Sequence, residues 1–257
     1  MNVTVPTSWS QINRDQLLRI SSALLQDRVD LAFLFYALLE LKWYKPRDWV
    51  KMYRLARINS TEFHPYVTWL LGDGYLKKWR LSHFKSLVGP DENWNSVTWL
   101  EFTVVDSLYC KYCDTREPFV LHSLSAALFR KEGDESKNDP FRPDYCGDSR
   151  RDFNIHITDK HFKKVSKFPT AFHDAVFINY SGMRRAIEKE FPRVFSSEDA
   201  NQSISSLKGW KPVTVSVSGT KFGNIKQTEQ SPFKEVLRSL EMNAIELEQL
   251  KEDHGRN

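Results

Sequence analysis

The feature that most constrains this chain is an apolar stripe near its C-terminal end. Phe233, Val236, Leu237, Leu240, Ala244, Leu247 and Leu250 recur three or four residues apart, which places them on one face of a helix. Glu235, Glu241, Glu246, Glu248 and Lys251 lie mainly off that face. Ser231-Pro232 opens the element as a serine cap with proline at the first helical position, where the missing N–H costs little. A helix this apolar on one side must bury that side somewhere. The stripe therefore implies either a core to fold onto or a partner to receive it. Its spacing suits a short coiled-coil seam or a helix laid in a groove, and it is the candidate partner-binding surface.

The same period recurs upstream. Asn13 is placed to cap a helix from Arg14 to about Gln26, with Leu17, Leu18, Ser21, Leu24 and Leu25 on one face. Val29 to Trp43 is apolar almost all round, the pattern of a central buried helix, and Pro46 ends it or opens the next element. Arg47 to Ile58 is ambiguous; Trp49, Met52, Tyr53 and Ala56 favour a helix. Thr61 to Leu71 predicts another, with Pro65 in its first turn. Val97 to Cys113 reads as a helix, although its β-branched content also suits a strand. Phe119 to Arg130 is helical. Asp159 to Phe168, Thr170 to Asn179 and Met183 to Glu190 read as three short helices broken near Pro169, Ser181-Gly182 and Pro192.

Two stretches differ in composition. Lys131 to Arg151 is rich in Asp, Gly, Pro, Ser and Lys and reads as an inserted surface loop. Ser196 to Gln230 turns to Ser, Thr, Gly, Asn and Gln and reads as a polar linker, with Val213 to Val217 as its one strand-like run. The expected fold is thus mainly α: an irregular multi-helix globular body over 1–195, a linker over 196–230, and an amphipathic C-terminal helix and tail over 231–257. With 40% apolar and 13% aromatic residues in 257, the body has material for a substantial core.

Charge and cysteine content narrow the function classes. A net charge of +4 spreads 33 acidic residues among 37 basic ones, which permits contact with nucleic acid without arguing for it. Three cysteines, Cys110, Cys113 and Cys146, make no disulfide framework and point to a reducing compartment. Met1 to Ser10 has no signal-peptide pattern. The longest apolar stretch, Leu31 to Leu39, falls well short of the roughly 20 residues of a membrane span. A cytoplasmic protein without membrane contact is expected.

Cys110-x-x-Cys113 with Cys146 and His122 or His156 supplies four zinc-ligand types, but a structural site calls for a second close pair; small packed thiols are the expectation. His64, His83, His122, His156, His161, His173 and His254 include no H-E-x-x-H pair. Asp144, Asp148 and Asp152 alternate with Arg142, Arg150 and Arg151, lack the calcium-loop pattern, and are read as solvated loop charges. Phosphate-binding glycine loops and the nucleophile elbow are absent from the sequence. Neither a catalytic residue, nor a metal site, nor a cofactor is expected. Two basic-aromatic stretches, Lys77 to Lys85 and Lys160 to Lys167, are of the type that binds single strands; an amphipathic surface with inward aromatics is the plainer reading.

Three stretches also resemble a group of bacterial prophage and phage tail-cluster proteins. They are Val5-Pro6-Thr7-Ser8-Trp9-Ser10 with Asp15-Gln16-Leu17-Leu18, then Phe119 to Arg130 with its polar insertion, then Phe177 to Phe195 ending Phe191-Pro192-Arg193-Val194-Phe195. Phe233-Lys234-Glu235-Val236-Leu237 adds to the likeness. The resemblance implies a non-enzymatic role in tail morphogenesis: an assembly chaperone binding a helical partner such as the tape-measure protein, or a tail structural component. It places the chain in the host cytoplasm or the virion, with self-association open. The alternatives are a nucleic-acid-binding accessory protein and a metal-dependent enzyme using residues between Cys110 and His161.

Overall fold

A computed structural model of the chain describes residues 5–26, 28–39, 41, 45–134, 147–154, 158–196, 209–219 and 221–255. It is mainly helical, as expected, with twelve α-helices and one two-stranded hairpin among the described residues. No described helix is long and apolar enough to cross a membrane. The chain divides into two units, Met1–Arg80 with Phe168–Met183, and Leu81–Lys167 with Arg184–Asn257.

In the first unit, α1 (Arg14–Leu24) begins as the sequence predicts. The Asn13 side chain accepts from the Gln16 amide, and the Gln16 side chain accepts from the Asn13 amide, a reciprocal cap that satisfies two otherwise orphaned donors. Leu17 and Ile20 are fully buried. α2 (Leu31–Leu38), capped by Asp30, buries Leu34, Phe35, Ala37 and Leu38, and Phe35 stacks on Phe63 at 4.3 Å. It is not buried all round, because Phe33 faces solvent. α3 (Pro46–Leu55) resolves the ambiguous stretch as a helix but buries only Leu55. α4 (His64–Val67) lies between two 3-10 turns.

Ser181-Gly182 does not break a helix. Thr170–Glu190 is one continuous helix, α8. Gly182 is there for space, since a Cβ at that position would lie 2.3 Å from the Leu76 carbonyl oxygen. Glycine in a helix interior costs about 1 kcal/mol relative to alanine, and here it permits a close backbone approach.

In the second unit the hairpin pairs β1 (His83–Phe84) with β2 (Leu87–Val88). α5 (Trp99–Thr115), capped by the Thr98 hydroxyl, is a helix and not a strand. It stops at Arg116, which adopts a left-handed conformation and turns the chain into α6 (Pro118–Leu128). α7 (Thr158–Val165) and α9 (Pro192–Ser196) follow in sequence on either side of α8.

The described part of the stretch read as a linker carries two helices. Residues 197–208 lie outside the described residues. Val213 to Val217 is not a strand: Lys211–Val217 forms α10, then Ile225–Gln230 forms α11 with its own Asn224–Gln227 capping box. Tertiary burial decides this. Trp210 sinks against Trp99 and Phe102, both at 5.4 Å, and Trp99 Nε1 donates to Thr214 Oγ1 at 2.8 Å. β-branched residues accept helical geometry when packing rewards it.

Candidate functional site

The C-terminal helix, α12 (Phe233–Gly255), divides the predicted stripe in two. Phe233, Val236 and Leu237 are fully buried, with Phe233 stacked on Phe102 at 4.7 Å. Leu240 and Ala244 are half-buried, while Leu247 and Leu250 are exposed. The first half thus belongs to the core of its own unit; the second half has no described cover. Glu241 fixes the crossover between the halves by accepting from the Arg193 and Val194 amides at 3.0 and 3.1 Å. A carboxylate there meets free first-turn N–H groups of α9.

A second apolar face lies on α3. Trp49 and Tyr53 stand 61% and 60% exposed, and Val50 and Met52 are exposed with them. Arg47 and Arg54 are exposed on the same helix.

The part of the structure that sequence reasoning missed is a buried charge cluster. Asp148 and Arg150 are not solvated loop charges. Arg150 is fully buried and forks to two carboxylates: Nη1 and Nη2 to Glu101 at 2.7 and 3.2 Å, Nε and Nη2 to Asp148 at 2.8 and 3.1 Å. Arg130 joins through Nη1 to Glu101 at 2.9 Å and Nη2 to Asp148 at 3.1 Å. Two guanidinium groups and two carboxylates balance, which is what permits them to leave water. Burial opposes the charge on Arg150, but Glu101 and Asp148 outweigh it and hold the group above its ordinary value. The cluster clamps the base of the insertion, where the backbones of Glu132 and Arg150 pair as an isolated antiparallel β-bridge and the Arg151 amide donates to the Lys131 carbonyl at 2.9 Å. One sequence signal was available: Glu101 sits four residues from both Val97 and Val105, a carboxylate on an apolar helix face.

Beside this cluster, α6, α7 and the base of the insertion enclose a cavity of about 410 Å³. Lys131, Arg151, Lys160 and Lys164 line it together with Arg130, against a single lining carboxylate, Asp152. Lys160 and Lys164 come from the second predicted basic-aromatic stretch. His161 also lines the cavity, and its Nε2 contacts the Phe129 carbonyl oxygen. Burial lowers its pKa, the Phe129 contact opposes that, and Lys164, Arg130 and Lys131 lower it further.

The other candidates divide. In the first basic-aromatic stretch Trp79 is buried and Lys77 and Lys78 are exposed. Cys110 and Cys113 are half-buried on α5. Burial, with Asp106 next in effect, pushes the Cys110 thiol up to about 12. Cys146, Asp144, Arg142 and His156 lie outside the described residues. Among the described residues, no group of three or more His, Cys, Asp or Glu side chains is placed to hold a metal ion.

Among the described residues, the class these observations define is a mainly helical protein with exposed apolar side chains on two helices and a basic cavity. No protein-family profile matches the chain, and no curated protein or solved structure is similar to it.

Proposed function

We propose that this chain is a non-enzymatic assembly factor that binds a helical protein segment through exposed apolar helix faces. The observation that carries the reading is the face of α3: four large apolar side chains, Trp49, Val50, Met52 and Tyr53, exposed on one ten-residue helix. Contiguous exposed apolar patches mark interaction sites, and Trp and Tyr are the side chains that dominate interface energetics. The exposed end of α12, with Leu247 and Leu250, supplies a second such face. The likeness to phage tail-cluster proteins gives the partner its class, an amphipathic helix of a tail component such as the tape-measure protein.

Co-expression with a phage tape-measure protein tests this. A complex that co-elutes in size-exclusion chromatography is expected. Trp49→Ser with Tyr53→Ser, or Leu247→Asp with Leu250→Asp, weakens it at least tenfold while the chain stays folded, because none of the four is buried. Absence of a complex with the wild-type chain overturns the proposal.

A further inference from the structure

We propose that the basic cavity between α6, α7 and the base of the insertion is a binding site for a nucleoside phosphomonoester, as a free nucleotide or as the phosphorylated end of a single strand. The inference is independent of the assembly role. It starts from charge. Arg130 and Arg150 are neutralised by Glu101 and Asp148, which leaves Lys131, Arg151, Lys160 and Lys164 against Asp152. Four cations facing one carboxylate favour a concentrated anion. A phosphomonoester carries roughly −1.5 to −2 at neutral pH, whereas each internal phosphate of a strand carries one charge.

Size sets the next limit. About 410 Å³ falls within the roughly 300–1,000 Å³ of small-ligand pockets, so a single nucleotide unit enters and a duplex does not. The remaining lining asks for more than phosphate. Phe153 is a half-buried ring with the Arg130 guanidinium 5.5 Å from its centroid, and bases stack on such aromatic faces. The Phe129 carbonyl can only accept, so the His161 Nε2 in contact with it carries the proton. On a neutral imidazole that makes Nδ1 an acceptor, suited to a base amine or a ribose hydroxyl. Asn154 adds an amide, with donor and acceptor, to the same lining.

Isothermal titration at low salt tests the site with adenosine 5′-monophosphate, adenosine, inorganic phosphate, and a single-stranded dodecamer with and without a 5′-phosphate. The monophosphate is expected to bind at least tenfold tighter than adenosine or inorganic phosphate, and the phosphorylated dodecamer tighter than its unphosphorylated twin. Whichever of the two binds tighter identifies the source. Arg151→Glu with Lys160→Glu lowers the affinity at least tenfold, with the melting temperature as the control for folding. Phe153→Ala lowers affinity for the nucleotide and not for inorganic phosphate. Equal affinity for inorganic phosphate and nucleotide, meaning a plain anion site, overturns the proposal. So does undiminished binding in the charge-reversed variant, or no binding by any probe.

Discussion

Arg150 donates through Nη1 to Glu101 Oε1 across 2.7 Å, and neither side chain reaches solvent. The two residues are 49 positions apart, on α5 and on the far end of an insertion that reads as a surface loop. Breaking the pair leaves an uncompensated charge where water cannot reach it. Arg150→Met is expected to cost about 3–5 kcal/mol of stability, by urea denaturation. Replacing Glu101, Arg130, Asp148 and Arg150 together with apolar residues of similar volume costs much less, because no orphan charge remains. A loss under about 1 kcal/mol for Arg150→Met would contradict burial of the pair.

Gly182 makes a separate prediction. Its missing Cβ would meet backbone, the Leu76 carbonyl and amide, and not the flexible end of a side chain. Gly182→Ala therefore destabilises by about 1–3 kcal/mol despite alanine's better helix propensity. A control Gly→Ala change at Gly72, where the nearest backbone atom is 3.6 Å away, should be far milder. Thermal melts of the two variants settle it; equal effects count against the close approach.

Cys110 should be chemically quiet. With its thiol pushed up to about 12 by burial and by Asp106, the reactive thiolate is scarce at pH 8. Alkylation of Cys110, followed by mass spectrometry, is expected to run at least a hundredfold slower in the folded chain than in urea. Comparable rates in the two states would mean the thiol is neither buried nor beside Asp106.

His161 gives the fold a pH dependence. Burial lowers its pKa, and the cations Lys164, Arg130 and Lys131 lower it further against the opposing Phe129 contact. The unfolded chain takes up that proton near pH 6.5, about the ordinary histidine value, and the folded chain only at lower pH. Between the two, the unfolded state binds more protons, so stability is full above about 6.5 and falls as the pH drops towards the folded value. Burial lowers His122 as well, so His161→Gln should flatten only part of the decline. Melting temperatures from pH 8 to 5 read this out, and an unchanged slope in His161→Gln rules out the contribution.

Local rules made much of the fold legible. The Asn13 cap and the helical period of Leu17, Leu18 and Ser21 are set within one or two turns, so a linear reading reaches them, whereas the expected serine cap of the last helix is not formed: the Ser231 hydroxyl donates back to the Gln227 carbonyl and the helix starts at Phe233. What it could not reach were choices made across the chain. Val213 to Val217 has strand-like side chains, yet Trp210 and Thr214 are drawn onto α5 and the segment coils. Ser181-Gly182 has the look of a break, yet it is a passing place for the Leu76 backbone. Asp148 and Arg150 sit in polar company along the chain and in the interior in space.

The candidate surfaces divide in the same way. Sequence periodicity by itself determined that Phe233 to Leu250 forms one amphipathic face, because side-chain spacing on a helix follows from backbone geometry alone. Only the tertiary structure decided that Phe233, Val236 and Leu237 serve the protein's own core, that Leu247 and Leu250 stay uncovered, and that Trp49 and Tyr53 do too. A period states which residues share a face; which neighbour covers that face depends on packing between elements distant in the chain. The basic cavity was invisible for the same reason: Arg130, Arg151 and Lys160 become one site only when buried carboxylates draw the two ends of the insertion together.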